Sequence, residues 1–436
     1  MTWQPLLTGK LLERARDALA EITEFLCTGA TSAPQKDWPP EIGRAGAACL
    51  GVGFVGQALY FGYLHQSDGG QRSADIGLEL LDRAIETASS ERMRPALYAG
   101  FPGIAWAANH LAGRLYAPGE EDSYEETDEV LDDYVRRVPW PFLHDVISGL
   151  AGIGVYALER LPRASGRRCL EAIVDRLAEV AERDSAGITW PTPPELLIGE
   201  RRERYPQGVH DLGMAHGVPG IVAFLAAVWA ADVARDRVGP LLEGSVSWLL
   251  TQSLSSDSLS RFPTWRVAGQ EATLSRLAWC YGDPGVAAAL LGAAAATGRA
   301  DWRREGVATA LVAARRPLES SRVRDGCLCH GSSGLAHIFN RLYQATGEED
   351  LGRAALFWYE QLLAAYTPGQ GHGGYLFERT DLPPSAYTQT PTTPEHAPDP
   401  GFLNGSAGVG LALLAATTTV EPAWDRALLT DVPPRA

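Results

Sequence analysis

The stretch Trp279-Cys280-Tyr281-Gly282-Asp283-Pro284-Gly285 closes on two glycines three residues apart and runs straight into an apolar, small-residue segment, Val286 to Ala296. The same G-x-x-G quartet stands at Gly53/Gly56, Gly100/Gly103, Gly149/Gly152, Gly217/Gly220, Gly331/Gly334 and Gly405/Gly408, so it occurs seven times. Most copies lead into a similar run, as at Ile104 to Leu111, Ile153 to Leu161, Ile221 to Ala231, Leu335 to Leu342 and Val409 to Ala416. Such runs are long enough for helices and apolar nearly all round, which is the pattern of a buried helix. Between them lie segments whose charges fall on one face: Ile76 to Ser89, Tyr124 to Arg137, Cys169 to Arg183, Leu241 to Leu254, Trp302 to Arg315 and Leu351 to Ala365. These read as outer helices. One quartet marks only a helix start, whereas seven, each opening a buried run, mark a repeat. An open solenoid leaves both end repeats exposed, and the fully apolar seventh run favours closure instead. The expected fold is all-α, an α/α toroid with a double ring of inner and outer helices, in which residues 1–436 form a single domain.

The spacing of the repeats is uneven. Residues 184–211, with Pro191, Pro193, Pro194 and the charged run Glu200 to Arg204, are expected to form a long loop on the rim. A second rim loop is expected over residues 368–400, rich in glycine and then in proline. Loops of this length in a compact protein are commonly functional, and each precedes a quartet. Beyond a few short pieces, no β-structure is expected.

Composition narrows the function. With 38 basic and 53 acidic residues the net charge is −15, which argues against a nucleic-acid footprint. The N-terminus carries no apolar core behind a basic start, so it does not read as a signal peptide. The longest apolar run, Val218 to Ala231, falls short of the roughly 20 residues a membrane-spanning helix needs. Six cysteines scattered through 436 residues do not suggest a disulfide framework and read as reduced thiols of a cytoplasmic protein.

The quartets also align chemistry. A cysteine stands two places before the first glycine in both the fifth copy (Cys280) and the sixth (Cys329), where His330 fills the gap. If the two copies occupy equivalent places, Cys280, Cys329 and His330 converge. Two thiolates and one imidazole suit zinc and leave the fourth tetrahedral position open. The plainer reading is that both cysteines are small buried residues, and Cys327 offers itself as a competing ligand. Cys27, Cys49, Cys169 and His337 read as core. The residues just before the quartets are Val52, Ala99, Ser148, His216, Tyr281, His330 and Asn404, so groups able to do chemistry gather in the last four repeats. Arg276 lies four residues before Cys280 and shares its face if that segment is helical. Asp145 lies four before Gly149, and it, His216 and Tyr281 have an alternative role as helix caps.

The segments Ser275-Arg276-Leu277-Ala278-Trp279-Cys280-Tyr281-Gly282, Cys329-His330-Gly331, Gly213-Met214-Ala215-His216-Gly217-Val218-Pro219-Gly220-Ile221, Asp145 to Gly152 and Phe402 to Gly408 resemble the lanthipeptide (lantibiotic) cyclase family, LanC-like, in its stand-alone class I type. The resemblance runs from Gly53 to Gly408. It implies Zn²⁺ on Cys280, Cys329 and His330, with His216, Arg276, Tyr281 and Asp145 as the other active-site residues. Gly53-Phe54-Val55-Gly56 is the least typical quartet, and Asn404 stands where an acidic residue is common.

The implied reaction adds a cysteine thiol of a dehydrated precursor peptide (leader plus core) across dehydroalanine or dehydrobutyrine, closing a (methyl)lanthionine thioether. A free thiol is mostly protonated at neutral pH, and its conjugate thiolate is the nucleophile. A zinc site with two thiolate ligands is suited to supplying that thiolate. Arg276 suits the oxyanion that develops, and His216 or Tyr281 suits proton transfer, with Asp145 orienting His216. The resemblance further implies a dehydratase and a transporter as partners, and membrane association through that complex rather than through a spanning helix. Two other readings use the same residues: addition of glutathione or another small thiol to dehydroamino acids, and a non-catalytic scaffold for peptide and dehydratase with structural zinc. Zinc-dependent prenyltransferase subunits also form α/α toroids, but none of their motifs is present.

Overall fold

The computed structural model describes residues 2–30, 43–119, 121–197, 199–378, 396–397 and 399–435. Among these, seven helices each begin directly after the first glycine of a quartet. They are α1 (Phe54–Asp68), α2 (Phe101–Leu111), α3 (Leu150–Glu159), α4 (Val218–Ala230), α5 (Asp283–Thr297), α6 (Ser332–Thr346) and α7 (Ser406–Thr417). Gly53, Gly100, Gly149, Gly217, Gly282, Gly331 and Gly405 are their N-caps, none with a capping side chain.

The paired glycines have a steric cause. The chain entering each quartet folds back over the helix start, so its backbone occupies the space a Cβ would need. A Cβ on Gly103 would meet the carbonyl oxygen of Leu97, one on Gly334 that of Leu328, and one on Gly408 that of Phe402, each six residues earlier. The first glycines repeat this contact, Gly100 on Arg94 and Gly217 on Asp211. Gly282 has a second reason to be glycine, a φ of 147° that side chains rarely adopt.

The chain forms two compact units, Met1–Glu120 with Val323–Trp424 and Pro434–Ala436, and Glu121–Arg322 with Asp425–Pro433. In the first, α6 packs on α7, α7 on α1 and α1 on α2, so the last repeat lies directly beside the first. That seam is closed by the N-terminus. Trp3, buried, donates its indole N–H to the Ala415 carbonyl at 2.7 Å, and the helix Gly9–Ala30 covers α7. In the second unit, α3 packs on α4 and α4 on α5. Amphipathic partners cover the buried helices: Gln71–Ser90 on α1, Ala164–Val180 on α3, Arg235–Thr251 on α4, Ala300–Ala314 on α5 and Glu349–Ala365 on α6.

Strands are few, three two-stranded antiparallel ladders among the described residues. The segment 184–211 is more structured than a plain rim loop. It carries the strand Gly187–Thr189, a short helix Glu200–Arg204, and the strand His210–Asp211 paired with Trp265–Arg266. A small apolar cluster of Leu197, Tyr205 and Val209, with Trp265 and Val267 against it, anchors the segment. Of the loop expected over 368–400, residues 379–395 and 398 lie outside the described residues; Phe377–Glu378 pairs with His396–Ala397.

Candidate active site

In the second unit, the turns that precede α3, α4 and α5 bring Asp145, His216 and Tyr281 together. Asp145 is only 2% exposed. Its Oδ1 accepts the backbone N–H of Ser148 at 2.8 Å, and its Oδ2 lies 2.6 Å from Nδ1 of His216. The two turns are also tied through their backbones, by Val146 N–H to the Ala215 carbonyl at 3.1 Å. With Nδ1–H committed to Asp145, the other ring nitrogen, Nε2, is left to act. The His216 side chain is 38% exposed, so the ring can be reached by a substrate. Burial pulls its pKa down, but the hydrogen bond and charge of Asp145, joined by Asp211 and Cys280, outweigh burial and hold it above the ordinary histidine value.

The Tyr281 ring stacks on His216, with centroids 5.9 Å apart and planes at 28°. Its hydroxyl donates to Oδ1 of Asp211 at 3.0 Å. Burial first, and the Asp211 charge second, push the phenol well above its usual pKa. Asp211 is itself buried and accepts from Arg201 Nη2 at 2.9 Å and from Thr192 Oγ1 at 3.4 Å. Arg201 lies over the Trp265 ring at 5.1 Å, and Trp265 meets Tyr281 edge-on at 6.3 Å. Thr192, Arg201 and Asp211 all come from the 184–211 segment. Sequence reasoning identified the segment but not these side chains. Gly213 completes the arrangement, because a Cβ there would collide with the Cys280 carbonyl and the Tyr281 ring.

Residues 275–282 are not helical, which removes the helical premise under which Arg276 and Cys280 would share a face. The segment is fixed instead by Leu277 N–H to the Ser321 carbonyl at 3.0 Å. Arg276 Nη2 donates to the Arg322 carbonyl at 3.1 Å, while its Nε is buried without a hydrogen-bond partner among the described residues. Neither His216 nor Tyr281 caps a helix, since the adjacent glycines do so.

In the first unit, Cys329 and His330 occupy the turn before α6. The Cys329 N–H donates to the Leu403 carbonyl at 2.8 Å, and the His330 N–H points to Sγ of Cys327 at 3.5 Å. The Sγ atoms of Cys280 and Cys329 and a ring nitrogen of His330 all lie within 4.8 Å of one another. Ligand atoms of Asp325, Cys327 and His330 also lie within 4.8 Å of one another. The two sets are not equivalent. Cys327 is fully buried with its sulfur turned to the backbone, whereas Cys280 and His330 are each 9% exposed and Cys329 is half-buried. Two thiols and an imidazole are a zinc donor set, and three ligands leave one tetrahedral position for a substrate atom. Cys27, Cys49 and Cys169 are buried and unpaired, and His337 is buried against Trp424 with ring centroids 4.4 Å apart.

Among known proteins, the family model described as lanthionine synthetase C-like protein matches residues 48–429. The nisin biosynthesis protein NisC of Lactococcus lactis subsp. lactis is 25% identical over 368 residues, covering 75% of this chain and 82% of its own. A zebrafish (Danio rerio) protein named glutathione S-transferase LANCL1 is 23% identical over 371 residues, covering 80% and 81%. The solved structure of nisin cyclase superposes with a TM-score of 0.71 at 19% identity, covering 95% of this chain and 97% of that one. That likeness gives the fold class, all-α of the α/α toroid type, and no membrane-crossing helix occurs among the described residues.

Proposed function

Because this chain belongs to the lanthionine synthetase C-like family, we propose that it is a zinc-dependent lanthipeptide cyclase acting on a dehydrated precursor peptide. The observations that carry this reading are the grouping of Cys280, Cys329 and His330 and, in His216, a half-buried histidine oriented by a carboxylate. We read residues 1–436 as one catalytic domain, because a single family model matches residues 48–429.

Cys280, Cys329 and His330 would hold the ion, which when bound supplies a substrate thiol with a lowered pKa at neutral pH. The remaining chemistry falls to the chain's own groups. As the substrate sulfur bonds to Cβ, the Cα=Cβ π pair moves onto the adjoining carbonyl, and Arg276 supplies a fixed cation for that developing oxyanion. Cα then takes one proton, replacing the one the thiol released, so the addition is balanced and the product is an isomer of the substrate. His216 is suited to deliver that proton. Its raised pKa keeps a protonated fraction near neutral pH, and Asp145 fixes which nitrogen faces outward. A reducing cytoplasm, where such thiols stay free, is the compartment this reading requires.

The test is consumption of thiols in a dehydrated precursor peptide, counted by alkylation because ring closure leaves mass unchanged. The wild-type chain should consume them, and Cys280→Ala should not; equal rates would contradict the reading. A second reading, addition of glutathione, is favoured by the likeness to the LANCL1 protein. It predicts that added glutathione outcompetes the peptide's own cysteines.

A further inference from the structure

We propose that Asp211 and Arg201 are positioning residues for Tyr281, holding its hydroxyl as a donor to Asp211 and leaving delivery of the proton to Cα to His216. The assignment rests on the cyclase reading above and goes beyond it, since neither residue belongs to the metal group or to the Asp145–His216 pair.

The geometry is directional. A phenol has one proton, and that of Tyr281 points to Oδ1 of Asp211 at 3.0 Å. A carboxylate is the strongest acceptor available there. Asp211 is in turn held from two other sides, by Arg201 at 2.9 Å and Thr192 at 3.4 Å, and is only 2% exposed. Arg201 lies over Trp265, which braces Tyr281 edge-on. With its one proton given to Asp211, the hydroxyl has only lone pairs to offer elsewhere. The His216 ring has the complementary arrangement, with Nδ1 spent on Asp145 and Nε2 open, and Tyr281 stacked on its face. Two buried carboxylates thus hold the two rings, Asp145 through the imidazole nitrogen and Asp211 through the phenol. A lysine would not replace Arg201, because the planar guanidinium lies over Trp265 while its Nη2 reaches Asp211.

The experiment measures thiol consumption, zinc content and the configuration at Cα of the product for wild type, Tyr281→Phe, Asp211→Asn, Arg201→Gln and the double variants. Asp211→Asn and Arg201→Gln should each lower kcat by about 10- to 100-fold with little change in KM, the scale of a misplaced group. Both should keep zinc. In a Tyr281→Phe background the same substitutions should cost nothing further, because their effect runs through that hydroxyl. Tyr281→Phe should still give a single diastereomer, since the proton comes from the same face. Additive losses in the double variants, or a mixture of diastereomers from Tyr281→Phe, would overturn the assignment. If Asp211→Asn fails to fold, Arg201→Gln carries the test, as its side chain is 35% exposed. A wild-type chain that consumes no thiols defeats the cyclase reading itself and takes this assignment with it, a result distinct from additive losses in an active enzyme.

Discussion

Nδ1 of His216 lies 2.6 Å from Oδ2 of Asp145, a residue 71 positions earlier in the chain, and the same carboxylate caps its own turn through Ser148. One buried side chain therefore fixes both a backbone turn and an imidazole tautomer. Asp145→Asn keeps an acceptor for Ser148 but can present its amide to His216. Its kcat should fall by about 10- to 100-fold, the usual cost of losing such a supporting hydrogen bond, with zinc content unchanged. Metal analysis and single-turnover thiol consumption check both parts.

The same pair sets a pH dependence. Burial lowers the His216 pKa, but Asp145 and the neighbouring anions raise it further, so the net shift is upward. As proton donor, His216 must be protonated, so kcat should decline on the alkaline side as pH rises through that raised pKa. Removing the anion with Asp145→Asn should move the decline to lower pH. A kcat profile for the two proteins decides it; a limb that moves to higher pH contradicts the assignment of roles.

Away from the site, His372 makes a prediction about stability. It is 6% exposed, stacks on Phe25 with centroids 4.0 Å apart, and burial pulls its pKa down to about 4. Above the ordinary histidine pKa both folded and unfolded chains hold it neutral, and its contribution is complete. Below that value the unfolded chain binds a proton that the folded chain refuses until about pH 4. Stability should therefore fall as pH drops between those two values. His372→Phe should flatten that part of a denaturant-melt series.

Much of the fold was legible because its cause is local. Paired glycines are demanded wherever backbone folds onto a helix start, and that demand shows as a seven-fold motif with apolar runs behind it. The grouping of Cys280, Cys329 and His330 was legible for the same reason, since the two cysteines share one slot of the repeat. Arg201 and Asp211 were not, because nothing in their own neighbourhood distinguishes them from other charged residues of a polar segment. Their role depends on the register of His210–Asp211 against Trp265–Arg266, which is tertiary. The helical premise for Arg276 failed similarly, as the chain before Gly282 is drawn across the helix start rather than coiled.

The glycine argument is itself testable. Gly103→Ala forces a methyl onto the Leu97 carbonyl and should cost at least about 3 kcal/mol, in the range of severe steric substitutions. Gly292→Ala, within α5 and with open space where its methyl would lie, should instead be neutral or stabilise by up to about 1 kcal/mol. Urea melts of the two variants should separate clearly, and equal destabilisation would remove the steric account of the repeat.

The most direct test of the central claim is the metal content of the purified full-length chain. We expect one zinc per wild-type chain, lost when Cys280, Cys329 or His330 is replaced by alanine and retained in Cys327→Ala. A wild-type chain that binds no zinc under reducing, zinc-replete conditions, or one whose zinc survives all three alanine substitutions, would contradict the account.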